Sequence, residues 1–239
     1  LILSLVMSVT SFLEKIDDLN KLYKNSSPEK ILSFSIDKFE SKIVYVCSFG
    51  TESAIILSMI SKINKNFPIL LINTNFLFPE TLEYKEKLLD NLGLHNCIEV
   101  TPEKESLKIY DPENNLWKTN VDKCCEIRKV IPLQKELEKF DSWISGRKSY
   151  HLDSRENLNP FEQANGKIII NPLVSMTKNQ VEEYFNKNSL PKHPLFSEGY
   201  LSIGCINCTS KTTNFDNVRS GRWKNNSKTE CGIQLQRKK

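Results

Sequence analysis

Several features are missing from the 239-residue sequence, and each absence narrows the class of protein. No apolar run approaches the roughly 20 residues of a membrane-spanning helix, so no membrane association is expected. The three histidines show no ligand spacing, which argues against a histidine-based metal site. The net charge of +4 permits an anionic small substrate, but it gives no argument for a nucleic-acid partner.

A disulfide framework is also missing. The seven cysteines are an odd number, and their spacing is not that of a small secreted scaffold. A reducing compartment, and hence a cytoplasmic location, is therefore predicted. Residues 1–6 precede Met7 without the basic region of a signal peptide, and they are expected to be non-native. An ordered N-terminal helical extension is the alternative.

Length and hydrophobic pattern predict one α/β domain with appendages. Strands that alternate with helices indicate a mostly parallel sheet with helices on both faces, where ligands bind at the carboxyl ends of the strands. The predicted strands are 43–46, 69–72, 98–100, 143–145 and 168–170, and the predicted helices are 54–63, 79–91, 122–139 with a kink at Pro132, and 177–188. A helical region precedes this domain, and an aperiodic segment rich in Lys, Arg and Asn follows it.

Four cysteines form the most informative pattern: the adjacent pair Cys124 and Cys125, and the CxxC pair Cys205 and Cys208. Adjacent residues on a helix point about 100° apart, so they rarely ligate one metal ion together. A four-iron cluster is wider and accepts one thiolate at each iron, which favours a [4Fe-4S] cluster. Structural zinc, unligated buried thiols and a strained disulfide between the adjacent pair are the alternatives.

Two loops that follow predicted strands carry groups suited to anions. In the segment 48–53, SFGTES, backbone N–H groups and a helix N-terminus can cradle a phosphate or sulfate, although the segment lacks the GK[ST] of a Walker loop. An ordinary turn capped by Ser53 is the alternative. Arg147, Lys148 and Arg155 follow the strand at 143–145, where they either clamp anionic oxygens or remain solvated.

Cys231 stands alone near the C-terminus, next to Gly232, which permits close approach of a ligand. Nearby basic residues favour a nucleophilic thiolate, whereas Glu230 opposes it. Arg219 and Arg222 gain interest from their position between the CxxC pair and Cys231. Cys47 and Cys97 lie in or beside predicted strands and are expected to belong to the core.

Taken together, the motifs resemble the assimilatory adenylylsulfate reductases, which are related to the phosphoadenylylsulfate reductases. The resemblance extends over residues 41–235 through SFGTES, LFPETLEY, CCEIRKVIPL, ISGRK, GCINCT, GRW and KTECGI. The CC plus CxxC quartet is similar to the cluster-containing branch, whose members typically use adenylylsulfate. The resemblance implies an adenine nucleotide α-hydrolase-like fold, with a nucleotide-binding domain at 41–190 after a helical region at 1–40. Residues 191–239 would form the cluster-binding segment and the catalytic tail.

The resemblance also implies residue roles. Cys231 corresponds to the nucleophile that attacks the sulfate sulfur, expels AMP and becomes an S-sulfocysteine, from which thioredoxin or a glutaredoxin-like reductant releases sulfite. A [4Fe-4S] cluster on Cys124, Cys125, Cys205 and Cys208 would act as a structural and electrostatic centre, and homo-oligomerisation is possible. The implied substrate-binding residues are Ser48, Phe49, Gly50, Arg128, Lys129, Arg155, Arg219, Arg222 and Gln234.

Departures from the family pattern leave alternatives open. Gln234 replaces a histidine, Asn73-Thr74-Asn75 replaces Asp-Thr-Gly, and the loop at 149–151 is a variant. A preference for the 3'-phosphorylated substrate is one alternative. A PP-loop ATP pyrophosphatase lacks support because its Ser-Gly-Gly-x-Asp-Ser loop is absent. The remaining alternative is a cluster-bearing or zinc-bearing nucleic-acid-binding module, which steep salt dependence of binding would identify.

Overall fold

The fold is built on a six-stranded sheet. The computed structural model describes residues 9–151, 158–215, 217–224, 228, 230, 232 and 233. The strands run in the order β3-β2-β1-β4-β6-β5, with parallel pairing throughout except between β5 and β6. They are β1 (Ile43–Cys47), β2 (Ile69–Ile72), β3 (Cys97–Val100), β4 (Ser142–Ile144), β5 (Phe161–Ala164) and β6 (Lys167–Ile170). The predicted fold class is confirmed.

Ten α-helices are present in the described ranges. They are α1 (Val9–Glu14), α2 (Ile16–Tyr23), α3 (Pro28–Phe39), α4 (Ser53–Ile63), α5 (Pro79–Leu92), α6 (Lys104–Tyr110), α7 (Leu116–Thr119), α8 (Val121–Cys125), α9 (Ile131–Leu137) and α10 (Lys178–Lys187). Sequence signals explain several ends: Ser27 caps α3, Gly93 ends α5 in a left-handed conformation, and Thr177 forms a capping box with Gln180. No helix among these residues is both long and apolar enough to cross a membrane.

Each face of the sheet has its own apolar core, because side chains alternate along the central strands. Ile43, Tyr45 and Cys47 of β1 belong to the larger core, which includes residues of α3, α4 and α5. Val44 belongs to the second core, together with Leu133 of α9 and other residues. Helices therefore cover both faces, and this leaves the carboxyl ends of β1 and β4 accessible for ligands. The expectation that Cys47 is a core residue is confirmed.

The N-terminal helices share the larger core. Phe12 of α1 is fully buried, and its ring centroid lies 5.0 Å from that of Phe39 and 5.3 Å from that of Phe161. Tyr23 of α2 also packs on Phe161, at 5.6 Å. The domain boundary predicted at residue 40 remains a prediction. The helices on its N-terminal side pack directly against the sheet and share its core.

The helix predicted over 122–139 is interrupted before Pro132. A π-turn, Glu126–Val130, separates α8 from α9, and the Ile131 N–H donates to the carbonyl of Glu126. Pro132 lacks the N–H that would bond the carbonyl of Arg128 in a regular helix. The wider turn places Arg128 in the protein interior, while Lys129 lines a cleft.

Strand β5 is absent from the strands predicted from the sequence. It pairs with β6 through a tight hairpin at Asn165 and Gly166, whose φ angles are 51° and 72°. Both are left-handed, as a two-residue hairpin of this type requires. Helices α6 and α7 were not predicted either.

A cleft and a four-cysteine cavity at the strand ends

A cleft of about 510 Å³ opens at the carboxyl ends of β1 and β4. Its walls come from the loops after these two strands and from the segment that follows residue 200. Five residues predicted to bind substrate line it: Ser48, Gly50, Lys129, Arg219 and Arg222. The structure therefore brings together groups that are up to 174 positions apart in the sequence (Ser48 to Arg222).

The loop after β1 turns sharply at Phe49. Phe49 adopts a φ of 49°, and its side chain is fully buried in the larger core. Its N–H donates to the Cys47 sulfur at 3.4 Å, while the Gly50 carbonyl accepts the N–H of Ser53 at 2.9 Å, where α4 begins. Phe49 therefore shapes the loop from behind, and its side chain does not line the cleft as the sequence had suggested.

Carboxylates pair with the cations of the loop after β4. Lys148 is 2% exposed, and its ammonium lies 2.7 Å from a Glu52 carboxylate oxygen and donates to the Gly146 carbonyl at 2.8 Å. Arg147 forms an ion pair with Glu162. These side chains line the cleft wall as balanced pairs and are not simply solvated loop charges. Arg155, which was predicted to bind substrate, lies outside the described residues.

The guanidinium of Arg222 packs against the backbone of Gly204 in the wall of the cleft. A Cβ atom at Gly204 would come within 2.2 Å of the Arg222 Nη2 atom, so only glycine leaves room for the guanidinium. The Arg222 Nε atom donates to the Cys208 carbonyl at 3.2 Å, and the guanidinium stacks 4.5 Å from the Trp223 ring centroid. These contacts fix a cation between the cleft and the CxxC segment.

A second, smaller cavity is lined by all four cysteines of the predicted metal site. Burial raises the pKa of Cys124 to about 12, and the neighbouring Cys125 thiol adds to this effect. At Cys205, burial acts in the same direction, but Lys129 and a hydrogen bond from Thr74 outweigh it and lower the pKa. Lys129 lines both the cleft and this cavity. One cation therefore acts on both sites.

The donors around this cavity are four thiols, the ligand type that iron–sulfur clusters and structural zinc both take. Within the described ranges, no three His, Cys, Asp or Glu side chains converge closely enough to hold one metal ion. A single zinc needs its thiolates about 2.3 Å from a common centre, whereas a cluster distributes them over separate irons. Four thiols that line one cavity supply the number and type of ligands that a cluster takes. No disulfide joins Cys124 to Cys125.

Arg128 lies beside the cysteine cavity and outside the cleft. It is 1% exposed, and its guanidinium is bonded to Asp111, Asn114 and the Thr74 carbonyl. The expectation that Arg128 binds substrate does not agree with this position, because a guanidinium enclosed by three protein acceptors does not reach a ligand in the cleft.

Sequence reasoning had assigned no role to two residues of the site. Thr74 follows β2 at the same sheet edge, and its hydroxyl lies 3.2 Å from the Cys205 sulfur. Trp223 lines both the cleft and the cysteine cavity. The position of Thr74, two residues after a buried strand, was the signal available to find it. For Trp223, the signal available was its place in the GRW motif beside Arg222.

The C-terminal tail reaches the cleft. Cys231 and Gln234 lie outside the described residues, but Glu230 and Ile233 line the cleft. Glu230 pairs with Arg219 at 3.4 Å, and Ile233 packs on the second core. The chain on both sides of Cys231 is thus placed in the cleft.

These features define a class by fold: α/β proteins of the adenine nucleotide α-hydrolase-like type, with a cleft at the strand ends. Yeast FAD synthetase, at 14% identity and a TM-score of 0.52, shares the fold alone.

Comparison with known proteins identifies the family. Residues 42–211 match the phosphoadenosine phosphosulfate reductase domain. A relative in Chelativorans sp. (strain BNC1), named adenosine 5'-phosphosulfate reductase, is 40% identical over 220 residues, covering 91% of this chain and 90% of the relative. A Bacillus mycoides (strain KBAB4) protein of the same name is 36% identical over 211 residues, with coverages of 86% and 89%. The chain belongs to the phosphoadenosine phosphosulfate reductase family.

A solved structure agrees with this assignment. Phosphoadenylyl-sulfate reductase from Candida auris, in a phosphate complex, is 30% identical and gives a TM-score of 0.69, covering 83% of this chain and 97% of that one.

Proposed function

We propose that this chain is the enzyme that reduces adenylylsulfate to sulfite and AMP in sulfate assimilation. The observation that carries the proposal is the cleft itself, where a strand-end loop and three cations, Lys129, Arg219 and Arg222, face tail residues adjacent to Cys231. The names of the relatives support adenylylsulfate as the substrate.

The cations of the cleft reduce the electrostatic repulsion between the thiolate and its anionic substrate. A thiolate that approaches an anionic sulfate is repelled by a few kcal/mol at close range in a medium of intermediate dielectric. Lys129, Arg219 and Arg222 offset this repulsion, while Ser48 and Gly50 offer polar groups to the nucleotide. Glu230 holds the tail at Arg219 until the sulfate competes for the same guanidinium.

The chemistry assigned to Cys231 is a transfer of sulfur followed by a reduction. Its thiolate forms a bond to the sulfate sulfur, the bond from that sulfur to the phosphate oxygen breaks, and AMP leaves with the oxygen. A dithiol protein of the thioredoxin or glutaredoxin type then supplies two electrons: one thiolate attacks the Cys231 sulfur, sulfite departs, and the second thiol resolves the mixed disulfide. The tail must close on the substrate and open to this partner.

The four thiols of Cys124, Cys125, Cys205 and Cys208 would hold a [4Fe-4S] cluster, which when bound supplies a structural and electrostatic centre. The Thr74 hydroxyl lies within hydrogen-bond distance of the Cys205 sulfur, and Lys129 places a positive charge between this cavity and the cleft. None of the six described cysteines forms a disulfide, which supports a reducing, cytoplasmic location.

The test is a single-turnover assay with radiosulfur-labelled adenylylsulfate and no reductant. We expect label on Cys231 together with release of one AMP per labelled chain, and neither in Cys231→Ser. Cys97→Ser is the matched control, because burial raises the pKa of this half-buried thiol to about 11 and it lies away from the cleft. Label that persists in Cys231→Ser would overturn the assignment.

A second candidate substrate is the 3'-phosphorylated nucleotide. The similarity to the Candida auris enzyme favours including it. The same assay with phosphoadenylylsulfate decides between the two, since the faster labelling identifies the preferred substrate.

A further inference from the structure

A buried ion pair lies behind the cysteine cavity. The Arg128 Nη2 and Nε atoms lie 2.6 Å and 3.2 Å from one carboxylate oxygen of Asp111. The side chains are 2% and 0% exposed, respectively. The second Asp111 oxygen accepts the N–H groups of Asn115 at 2.8 Å and Leu116 at 3.0 Å. Both oxygens of this carboxylate are therefore fully used, as burial of a charge requires.

Arg128 connects this carboxylate to two other segments. It donates to the Thr74 carbonyl at 3.1 Å and to the Asn114 side chain at 2.7 Å, and its guanidinium stacks 4.1 Å from the Phe76 ring centroid. The loop after β2, the loop after α6 and the π-turn after Cys125 all meet at this one side chain. The ion pair therefore sets the distance between the helix that carries the adjacent cysteines and the loop that contacts Cys205.

The ion pair affects the spacing of the cysteines because its Arg128 side chain lies at their cavity. Arg128 and Thr74 both line the cavity of the four thiols, and the Thr74 hydroxyl lies 3.2 Å from the Cys205 sulfur. Asp111 itself does not line the cavity, so it acts only through Arg128. Removal of the Asp111 charge would leave a buried guanidinium without its counter-ion, and a partner lost from a buried pair is the costly case.

We propose that Asp111 is a positioning residue for the four-cysteine site, which it holds in register through Arg128 and Thr74. The inference rests on the proposed role of the four thiols as ligands of one centre. It predicts that removal of the Asp111 charge increases the accessibility of these thiols while the rest of the fold stays intact.

The test compares thiol labelling in the anaerobically purified full chain and in Asp111→Asn, with a pulse of maleimide and mass spectrometry. Trypsin releases Cys124 and Cys125 on the peptide 124–128, and Cys47 on the peptide 43–62. We expect labelling of 124–128 to rise about tenfold or more in Asp111→Asn, as loss of one partner from a buried pair implies. Labelling of buried Cys47 should stay unchanged. Glu103→Gln, which makes the same change in the exposed pair with Lys135, is the control and should behave as the unaltered chain.

Two results would overturn the inference. Unchanged labelling of 124–128 would mean that the ion pair does not position the cysteines, and a parallel rise at Cys47 would mean that Asp111 supports the whole fold. Iron and sulfide in the unaltered chain are measured separately. Their absence would contradict the proposed cluster, whereas the labelling comparison tests Asp111 in either case.

Discussion

At the scale of single residues, the site depends on a close approach between Arg222 and the backbone at Gly204. The absence of a Cβ atom lets the guanidinium lie against the chain just before Cys205, where it also bonds the Cys208 carbonyl. Arg222 therefore faces the cleft from a position fixed by the cysteine segment.

Gly204→Ala should displace this cation, because the new methyl group would lie 2.2 Å from Arg222 Nη2. A catalytic group misplaced by about 1 Å costs roughly a hundredfold in rate, so we expect kcat/KM for adenylylsulfate to fall by about that factor. Steady-state kinetics measures the effect. Gly166→Ala adds the same methyl group in open space within the β5–β6 hairpin, and it should leave kcat/KM unchanged. Equal kinetics for the two variants would contradict the assigned role of Arg222.

The sequence located the cleft loops at this scale but not the direction of every side chain. SFGTES identified the loop after β1, yet Phe49 points into the core because the backbone turns through a left-handed φ that no pattern in the sequence marks. Arg128 and Lys129 are adjacent basic residues, and the sequence alone does not show which of them faces the cleft. The π-turn separates them, burying Arg128 with Asp111 and directing Lys129 to the cleft.

At the scale of elements, His193 attaches the segment before the CxxC pair to α5. Its Nδ1 atom accepts the N–H of Leu195 at 3.2 Å, so the neutral ring carries its proton on Nε2, which lies 3.0 Å from the Thr81 hydroxyl. Tyr84 of α5 adds a hydrogen bond to the Pro191 carbonyl at 2.7 Å. A second proton on the ring would face the Leu195 N–H, and burial lowers the pKa of His193 to about 4 despite the opposing effect of nearby Glu80.

This lowered pKa predicts a loss of stability in mild acid. The unfolded chain takes up the proton near pH 6.5 and the folded chain only near 4, so the contribution is complete above pH 6.5 and is lost as the pH falls towards 4. Between pH 7 and pH 5, we expect the free energy of unfolding to fall by about 2 kcal/mol through this group, at 1.36 kcal/mol per pKa unit. Urea unfolding at the two pH values measures it.

His193→Asn retains an acceptor for the Leu195 N–H without a group that titrates in this range. The free energy of unfolding of this variant should therefore change less between pH 7 and pH 5, and the reduction should equal the contribution expected from His193. An equal difference in both proteins would show that the ring does not govern this part of the pH dependence.

Elements with strong local signals were predictable, and those fixed by tertiary contacts were not. Pro79 and Gly93 delimit α5, and Thr177 starts α10, as the sequence indicated. The Asn165-Gly166 pair is a strong hairpin signal, but its importance was hidden because β5 (FEQA) has two polar residues at its centre and no apolar run. Helices α6 and α7 carry no fully buried residue and hence little apolar periodicity.

At the scale of the whole molecule, an aromatic cluster joins the N-terminal helices to the far edge of the sheet. Phe12 contacts Phe34, Phe39 and Phe161, with ring centroids 5.0 to 6.3 Å apart. Because Phe161 lies in β5, the first helix packs against the edge strand that is most distant from β3.

Phe12→Ala should therefore destabilise the entire protein. Truncation of a buried phenylalanine costs about 3 to 5 kcal/mol, and we expect the free energy of unfolding to fall by about this amount in urea titrations. Leu22→Ala, which truncates a side chain that is 67% exposed, should change it by less than about 0.5 kcal/mol. If the two variants had the same stability, the N-terminal helices would not belong to the cooperative core.

The two cysteine pairs come from segments that meet only in the finished fold. Cys124 and Cys125 follow the sheet's third strand, whereas Cys205 and Cys208 are reached after the chain has passed β6 and α10 and has been fastened to α5 by His193. A nascent chain offers each pair alone, and neither provides more than half of the ligands of an inorganic centre. The proposed cluster would therefore be inserted only after both segments have been synthesised, and a chain truncated before residue 205 would supply two of the four thiols, however well the rest of the sheet is folded.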